Sequence, residues 1–170
     1  YNSAHKMNVV MDNAAKNATG TYEVGAYTTN TATSWSWTAI RNVNYFIKNN
    51  NSSKVSEVIR NNYMGIARLF RAYLYYDKLI QYGEVPWIDI PLEPDSPELY
   101  KSQDSRDVII SNIIDDLDYA AENIIEDKIT PNSNEVNRWT ALFFKSRVCL
   151  FEASFRKYHA SGSEFGKRVT

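Results

Sequence analysis

The composition of this 170-residue chain excludes several kinds of protein. Its one cysteine, Cys149, cannot form an internal disulfide, and the apolar residues around it predict a packed side chain. No apolar run reaches about 18 residues, so no membrane-spanning helix is predicted. Glycine occurs only 6 times, which argues against a glycine-turned β-sandwich. No charged and then apolar leader follows Tyr1, so we expect any signal peptide to be missing from this chain.

Charge and titratable residues give no sign of nucleic-acid binding or catalysis. The 19 Lys and Arg residues nearly balance the 20 Asp and Glu residues, and no basic stripe stands out. The two histidines, His5 and His159, lie near opposite ends of the chain without metal-ligand spacing. Motifs of nucleotide-binding loops and nucleophile elbows are missing from the sequence. We therefore expect a protein that is not an enzyme, with no cofactor, metal centre or nucleic-acid partner.

Large aromatic residues are plentiful, with 12 Tyr, 7 Phe and 4 Trp. Hydrophobic residues make up 44% of the chain, which is enough to bury a core. The length fits one domain. This composition favours helices that pack through large rings, and the sequence predicts a single all-α domain over residues 1–170.

The first half of this domain is predicted to hold a helical hairpin. Apolar residues at helical spacing indicate a short helix within 2–16, and small polar residues indicate an irregular loop that ends at residue 34. The helical period then returns over 35–83 as two helices with a short connection, which must run antiparallel. Ser53 is the predicted N-cap of the second helix, and Gly83 is its predicted end.

The second half repeats this organisation. Three prolines within 84–94 predict an extended segment, which begins a connector over 84–104 whose last ten residues are expected to form a loop. A second hairpin is predicted over 105–158, with Ser105 or Asp104 as the cap of its first helix. A tail over 159–170 is expected to lead to a missing C-terminal half.

The two hairpins look like copies of each other. When the sequence is shifted by 74 residues, Ile40 falls on Ile114, Phe70 on Phe144 and Leu74 on Val148. Repeated helix pairs that cover each other's open faces are typical of a stack like that of tetratricopeptide repeats (TPR). Apolar spacing also predicts which side chains are buried. These are Trp37, Ile40, Val43 or Asn44, Ile47, Val55, Ile59, Tyr63, Ile66, Phe70, Tyr73, Leu74, Ile80, Val108, Ile109, Ile113, Leu117, Ala121, Trp139, Leu142, Phe143, Val148, Leu150, Phe151 and Phe155.

Five ordered motifs resemble those of one family. The string IRNVNYFI at 40–47 resembles the helix that opens the first TPR-like unit of SusD/RagB proteins, and 70–86 is similar to their FRAxxYxxLxxxYGxVP signature. The lead-in at 100–109, the DLDYA string ending at Ala120 and the helix at 137–152 resemble their second unit. The resemblance runs from about residue 35 to residue 158, which corresponds to the N-terminal portion of the family.

The resemblance implies a fold and a function. The fold would be a TPR-like stack of helical hairpins with an irregular N-terminal loop. The function would be non-catalytic capture of oligosaccharides, as in starch and glycan utilisation, at the surface of the outer membrane of Bacteroidota. The partner would be a SusC-like TonB-dependent transporter. Family members are surface lipoproteins, and the lipid-bearing cysteine is absent from this chain.

Four residues are the predicted contacts to the oligosaccharide. Tyr27, Asn30, Trp35 and Trp37 lie in or beside the polar loop at the mouth of the first hairpin. Sugars have apolar C–H faces and many hydroxyls, which suit aromatic rings and short amides. The alternative is that the two tryptophans cap the hydrophobic core, since Trp37 is in helical phase with Ile40.

Two other functions stay open. A TPR-type adaptor would bind a protein segment in a concave groove, and a SusD-like protein could bind a peptide instead of a glycan. An α-helical glycosidase would need two carboxylates across a cleft, but neighbours such as Asp115 and Asp116 point to different sides of a helix. Arginines such as Arg68 and Arg71 are expected to join helices through Asp77, Asp116 or Asp118, because the guanidinium can pair bidentately.

Overall fold

The computed structural model describes residues 35–125 and 135–159. The chain divides into two compact units, Tyr1–Trp37 and Thr38–Thr170. The predicted helix within 2–16 and the loop after it lie outside the described residues, as does most of the predicted tail. The division into domain segments therefore stays a prediction.

Four α-helices make up most of the described part of the second unit. They are α1 (Thr38–Asn49), α2 (Glu57–Tyr82), α3 (Arg106–Asn123) and α4 (Arg138–His159). Each helix packs on the next in chain order, so α2 lies between α1 and α3, and α3 lies between α2 and α4. The described residues contain no strand. The predicted all-α, TPR-like stack of hairpins is confirmed.

The long helix α2 begins three residues later than the sequence predicts. Its N-cap is Ser56, whose hydroxyl accepts a hydrogen bond from the Ile59 amide at 3.4 Å. The predicted cap, Ser53, lies in a turn instead. Arg60 holds that turn, because its Nη1 donates to the carbonyl oxygens of Ser52 and Val55 at 2.8 and 2.9 Å. The prediction of Ser53 was therefore wrong by one turn.

Replacement of Ser56 by alanine is expected to lower the free energy of unfolding by about 1 kcal/mol, the usual effect of losing a helix N-cap. The same change at Ser53 is expected to cost less than about 0.5 kcal/mol, since its side chain is exposed. Urea unfolding followed by circular dichroism would compare the two variants. An equal loss at Ser53 would contradict this assignment of the cap.

The other predicted ends of helices agree with the structure. Gly83 follows α2 with a φ of 77°, and its amide donates to the carbonyl oxygen of Leu79 at 3.0 Å. A left-handed φ of this kind favours glycine. Ser105 caps α3 by accepting from the Val108 amide at 3.4 Å. The connector after Gly83 is not helical up to Pro97–Tyr100, which forms one turn of 3-10 helix within the predicted loop.

The buried face of α2 is not the predicted one. Phe70, Tyr73 and Ile80 are about half exposed, as are Val55, Ile59 and Tyr63. The buried side instead carries small, charged, tyrosine and leucine side chains, namely Gly65, Ala67, Leu69, Arg71, Ala72, Tyr75, Tyr76, Lys78 and Leu79. Because α2 has neighbours on two sides, its buried side also includes small residues at close contacts and charged residues such as Arg71, which pairs with Asp116. A pattern of apolar residues alone therefore points to the wrong face.

In the hairpin formed by α3 and α4, the predicted burial is confirmed for some side chains and wrong for others. Ile109, Ile113, Leu117, Ala121 and Val148 are buried as predicted. Val108, Trp139, Leu142, Phe143 and Leu150 are exposed, and so is Cys149. Cys149 follows the fully buried Val148 on α4, but its own side chain is exposed, so the prediction of a packed thiol was wrong.

Burial does not single out one register for the internal repeat. At a shift of 73 residues, buried Ile40 falls on buried Ile113, but buried Tyr76 falls on the exposed Cys149. At the predicted shift of 74 residues, buried Ala67 falls on buried Ala141. The shift of 74 residues therefore stays a prediction.

A glycine allows α2 and α3 to approach closely. A Cβ atom at Gly65 would lie 3.1 Å from Cγ1 of Ile124 and 3.5 Å from Cα of Ala120. A Cβ atom here would be in tight contact with the Ile124 side chain, which would have to shift slightly to admit it. Glycine fits this approach without such a shift, although it is a weak helix former.

Candidate ligand-binding site

Two of the four predicted contact residues lie side by side. The indole rings of Trp35 and Trp37 have centroids 5.2 Å apart and planes at 80° to each other. Both residues precede α1 in non-helical backbone. Trp35 is 48% exposed, and Trp37 is partly exposed. The first unit thus presents an accessible aromatic pair.

This edge-to-face pair has the chemistry that a sugar needs. An exposed indole face can stack on the C–H face of a pyranose, and an indole N–H can donate to a hydroxyl. Tyr27 and Asn30 lie outside the described residues, so their contribution stays a prediction.

A buried ion pair lies at the centre of the helical stack. The Asp116 carboxylate on α3 accepts from Arg71 Nε and Nη2 on α2, both at 2.7 Å. Arg68 Nε donates to the same carboxylate at 2.7 Å. Asp116 is 1% exposed and Arg71 is 5% exposed. The predicted pairing of Arg68 and Arg71 with Asp116 is confirmed, and it gives this carboxylate a role in joining helices.

The same network holds the extended connector against the helices. Asn44 Nδ2 on α1 donates to the carbonyl oxygen of Ile88 at 2.8 Å, and Asn44 Oδ1 accepts from Arg71 Nη1 at 3.3 Å. The Tyr75 hydroxyl accepts from the Ile88 amide at 2.7 Å and donates to the Ile88 carbonyl at 2.8 Å. The Tyr75 ring lies 4.1 Å from the ring of Trp87. The Asn44 amide and the Tyr75 hydroxyl thereby form hydrogen bonds with the backbone of the connector at Ile88.

Burial raises the pKa of Tyr75, so its hydroxyl keeps its proton and can donate to Ile88. No sequence pattern distinguishes Tyr75 from the other tyrosines of α2, so its hydrogen bonds to Ile88 could not be predicted. Asn44 was visible as an alternative to Val43 in the pattern of α1, and the structure buries Asn44.

The described residues show neither a metal site nor a membrane span. Within residues 35–125 and 135–159, no group of three or more His, Cys, Asp or Glu side chains could hold a metal ion. Over the same residues, no helix is both long enough and apolar enough to cross a membrane.

The fold defines a TPR-like helical protein, and sequence comparison gives its family. Residues 1–144 match the SusD-like family that is described as starch-binding and associating with the outer membrane. The chain belongs to this family, which confirms the resemblance seen in its motifs. No curated protein sequence matches the chain.

Solved structures of SusD-like proteins share the fold. A SusD-like protein from Bacteroides fragilis aligns with 75% of this chain at 22% identity and a TM-score of 0.62. The surface glycan-binding protein A from Bacteroides fluxus aligns with 73% at 23% identity and a TM-score of 0.60. A SusD-like carbohydrate-binding protein from Bacteroides vulgatus aligns with 69% at 22% identity and a TM-score of 0.56. The chain covers 25%, 26% and 27% of these proteins, about a quarter of their length.

Proposed function

We propose that this protein captures oligosaccharides at the outer-membrane surface and passes them to a SusC-like TonB-dependent transporter. The exposed Trp35–Trp37 pair carries the proposal, because it is an accessible aromatic platform in the described part of the first unit. The family's description as starch-binding and associated with the outer membrane supports both the ligand class and the location. Tyr27 and Asn30 would complete the contacts from the neighbouring loop.

The proposed function is binding without chemistry. Asp116 is the buried member of the acidic cluster in α3, and two arginines hold it. A glycosidase needs two available carboxylates across a cleft. Pairing within the stack makes Asp116 unsuitable as a general acid or nucleophile, so capture fits this helix better than hydrolysis.

Calorimetric titration with oligosaccharides tests the proposal. We expect one class, with α-linked glucans as the first candidates, to bind the protein, and Trp35→Ala to weaken that binding at least about tenfold. Stacking on an exposed ring can supply this much free energy, about 1.4 kcal/mol. Tyr63→Ala is the matched control, because Tyr63 is a similarly exposed aromatic residue on α2.

The outcomes separate the alternatives. Equal affinities of Trp35→Ala and the unaltered protein would remove this tryptophan from the site. A failure of every glycan, together with binding of peptides, would favour a peptide-binding protein or a TPR-type adaptor.

A further inference from the structure

Three consecutive carbonyl oxygens of the connector accept hydrogen bonds from side chains of α1 and α2. Asn44 Nδ2 on α1 donates to the carbonyl oxygens of Ile88 and Ile90 at 2.8 and 3.4 Å. Arg71 Nη1 on α2 donates to the carbonyl oxygen of Asp89 at 3.5 Å. These three connector residues form the connector centre, whose backbone is therefore held by the first hairpin.

The Arg71 guanidinium links this anchoring to α3. Its Nε and Nη2 donate to the two carboxylate oxygens of Asp116 on α3, both at 2.7 Å. Its Nη1 donates to Asn44 Oδ1 at 3.3 Å. Because a guanidinium is planar and rigid, the two hydrogen bonds to Asp116 also fix the direction of Nη1. Asp116 thereby orients Arg71 towards Asn44 and the connector centre.

The charge of Arg71 also sets the orientation of the Asn44 side-chain amide. Asn44 is 1% exposed, so water does not compete for its polar atoms. With Oδ1 towards Arg71, the amide nitrogen donates to carbonyl oxygens of the connector centre. The opposite orientation would set amide N–H groups against the guanidinium and Oδ1 against carbonyl oxygens, which is costly for buried groups. The orientation of Asn44 that holds the connector thus depends on Arg71.

We propose that Asp116, Arg71 and Asn44 form a relay that couples the position of the connector to the packing of α3 on α2. When α3 separates from α2, Arg71 is no longer oriented by Asp116, and the connector centre loses the hydrogen bonds that Arg71 and Asn44 supply. Linkage makes the coupling reciprocal, so displacement of the connector weakens the packing of α3 on α2. The relay goes beyond glycan capture and does not rest on it.

Hydrogen exchange of the Ile88 amide, measured by NMR, tests the relay. This amide donates to the Tyr75 hydroxyl, so it reports on the connector without being a member of the relay. Asp116→Asn is expected to speed its exchange at least about tenfold. Arg71→Lys is expected to act in the same way, because one ammonium group lacks the fork that pairs with Asp116 and Asn44 together. The lysine keeps a cation beside Asp116, so this variant tests the relay even if Asp116→Asn fails to fold.

Glu152→Gln is the matched control for the relay. It also removes the charge of a buried carboxylate that binds α3, but Glu152 pairs with Arg106 and Arg156, which lie outside the relay. We expect this control to change the exchange rate of Ile88 by less than about threefold. Equal acceleration by the control would mean that Ile88 follows overall stability, which would overturn the relay. Unchanged exchange of Ile88 in Arg71→Lys would overturn it as well.

Discussion

Asp116→Asn is expected to lower the free energy of unfolding by about 3–5 kcal/mol, the usual effect of breaking a buried ion pair. The change keeps the size of the side chain but removes the charge that compensates Arg71 and Arg68. Arg71 would remain buried beside Asn44 with a positive charge that solvent cannot reach. Urea unfolding monitored by circular dichroism measures the loss, which is a large part of the stability of an ordinary domain.

Asp115→Asn is the matched control for this prediction. Asp115 is the preceding residue on α3 and is exposed, so the same chemical change is expected to alter stability by less than about 0.5 kcal/mol. A similar loss from both variants would mean that the net charge of α3, rather than the buried pair, determines stability. Little loss from either would contradict the central role of the pair.

Glu152→Gln is expected to lower the free energy of unfolding by about 3 kcal/mol. This change also breaks a buried ion pair, here between α3 and α4. The Glu152 carboxylate on α4 accepts from Arg106 Nε at 2.9 Å and from Arg156 Nε at 2.9 Å. Arg106 is buried, and its guanidinium lies 3.8 Å from the ring centroid of Phe155. Loss of the carboxylate would leave Arg106 enclosed without a countercharge, so α4 is expected to separate from the start of α3 more easily.

Asp107→Asn is the control for Glu152→Gln, because Asp107 also pairs with Arg156. Asp107 pairs with Arg156, but the Asp107 side chain is 40% exposed and the Arg156 side chain is 34% exposed. Exposed pairs contribute at most about 1 kcal/mol, so this variant is expected to unfold close to the original midpoint. Hydrogen exchange would locate the change, because Glu152→Gln is expected to expose amides of α4 before those of α2. Uniform exposure of all four helices would argue against a local role for Glu152.

Prediction from sequence succeeded where the determining interactions are local. Gly83 and Ser105 mark helix ends through their own backbone and side chains, and the proline-rich segment after Gly83 is not helical. The family motifs are contiguous segments of sequence, so they can be recognised without knowledge of tertiary contacts. The misplaced cap at Ser53 shows the limit, because Arg60 holds the turn through residues that are not part of a cap pattern.

Only part of the candidate ligand site could be predicted from the sequence. Aromatic and amide residues around a polar loop indicated a sugar site, and the structure brings Trp35 and Trp37 together. The perpendicular angle of their rings could not be predicted, because it depends on the packing of one side chain on the other. The contribution of Tyr27 and Asn30 remains a prediction.

The sequence by itself determined that this protein is helical, that its helices form two hairpins and that it belongs with SusD-like proteins. Only the tertiary structure decided which face of α2 is buried and which acid of α3 binds Arg71. The spacing of apolar residues does not show which side of α2 is buried, because α2 packs against helices on two sides and buries the charged Arg71 and Lys78 together with small, tyrosine and leucine side chains. Asp115 and Asp116 are chemically identical, and their roles differ because a helix turns by about 100° between them.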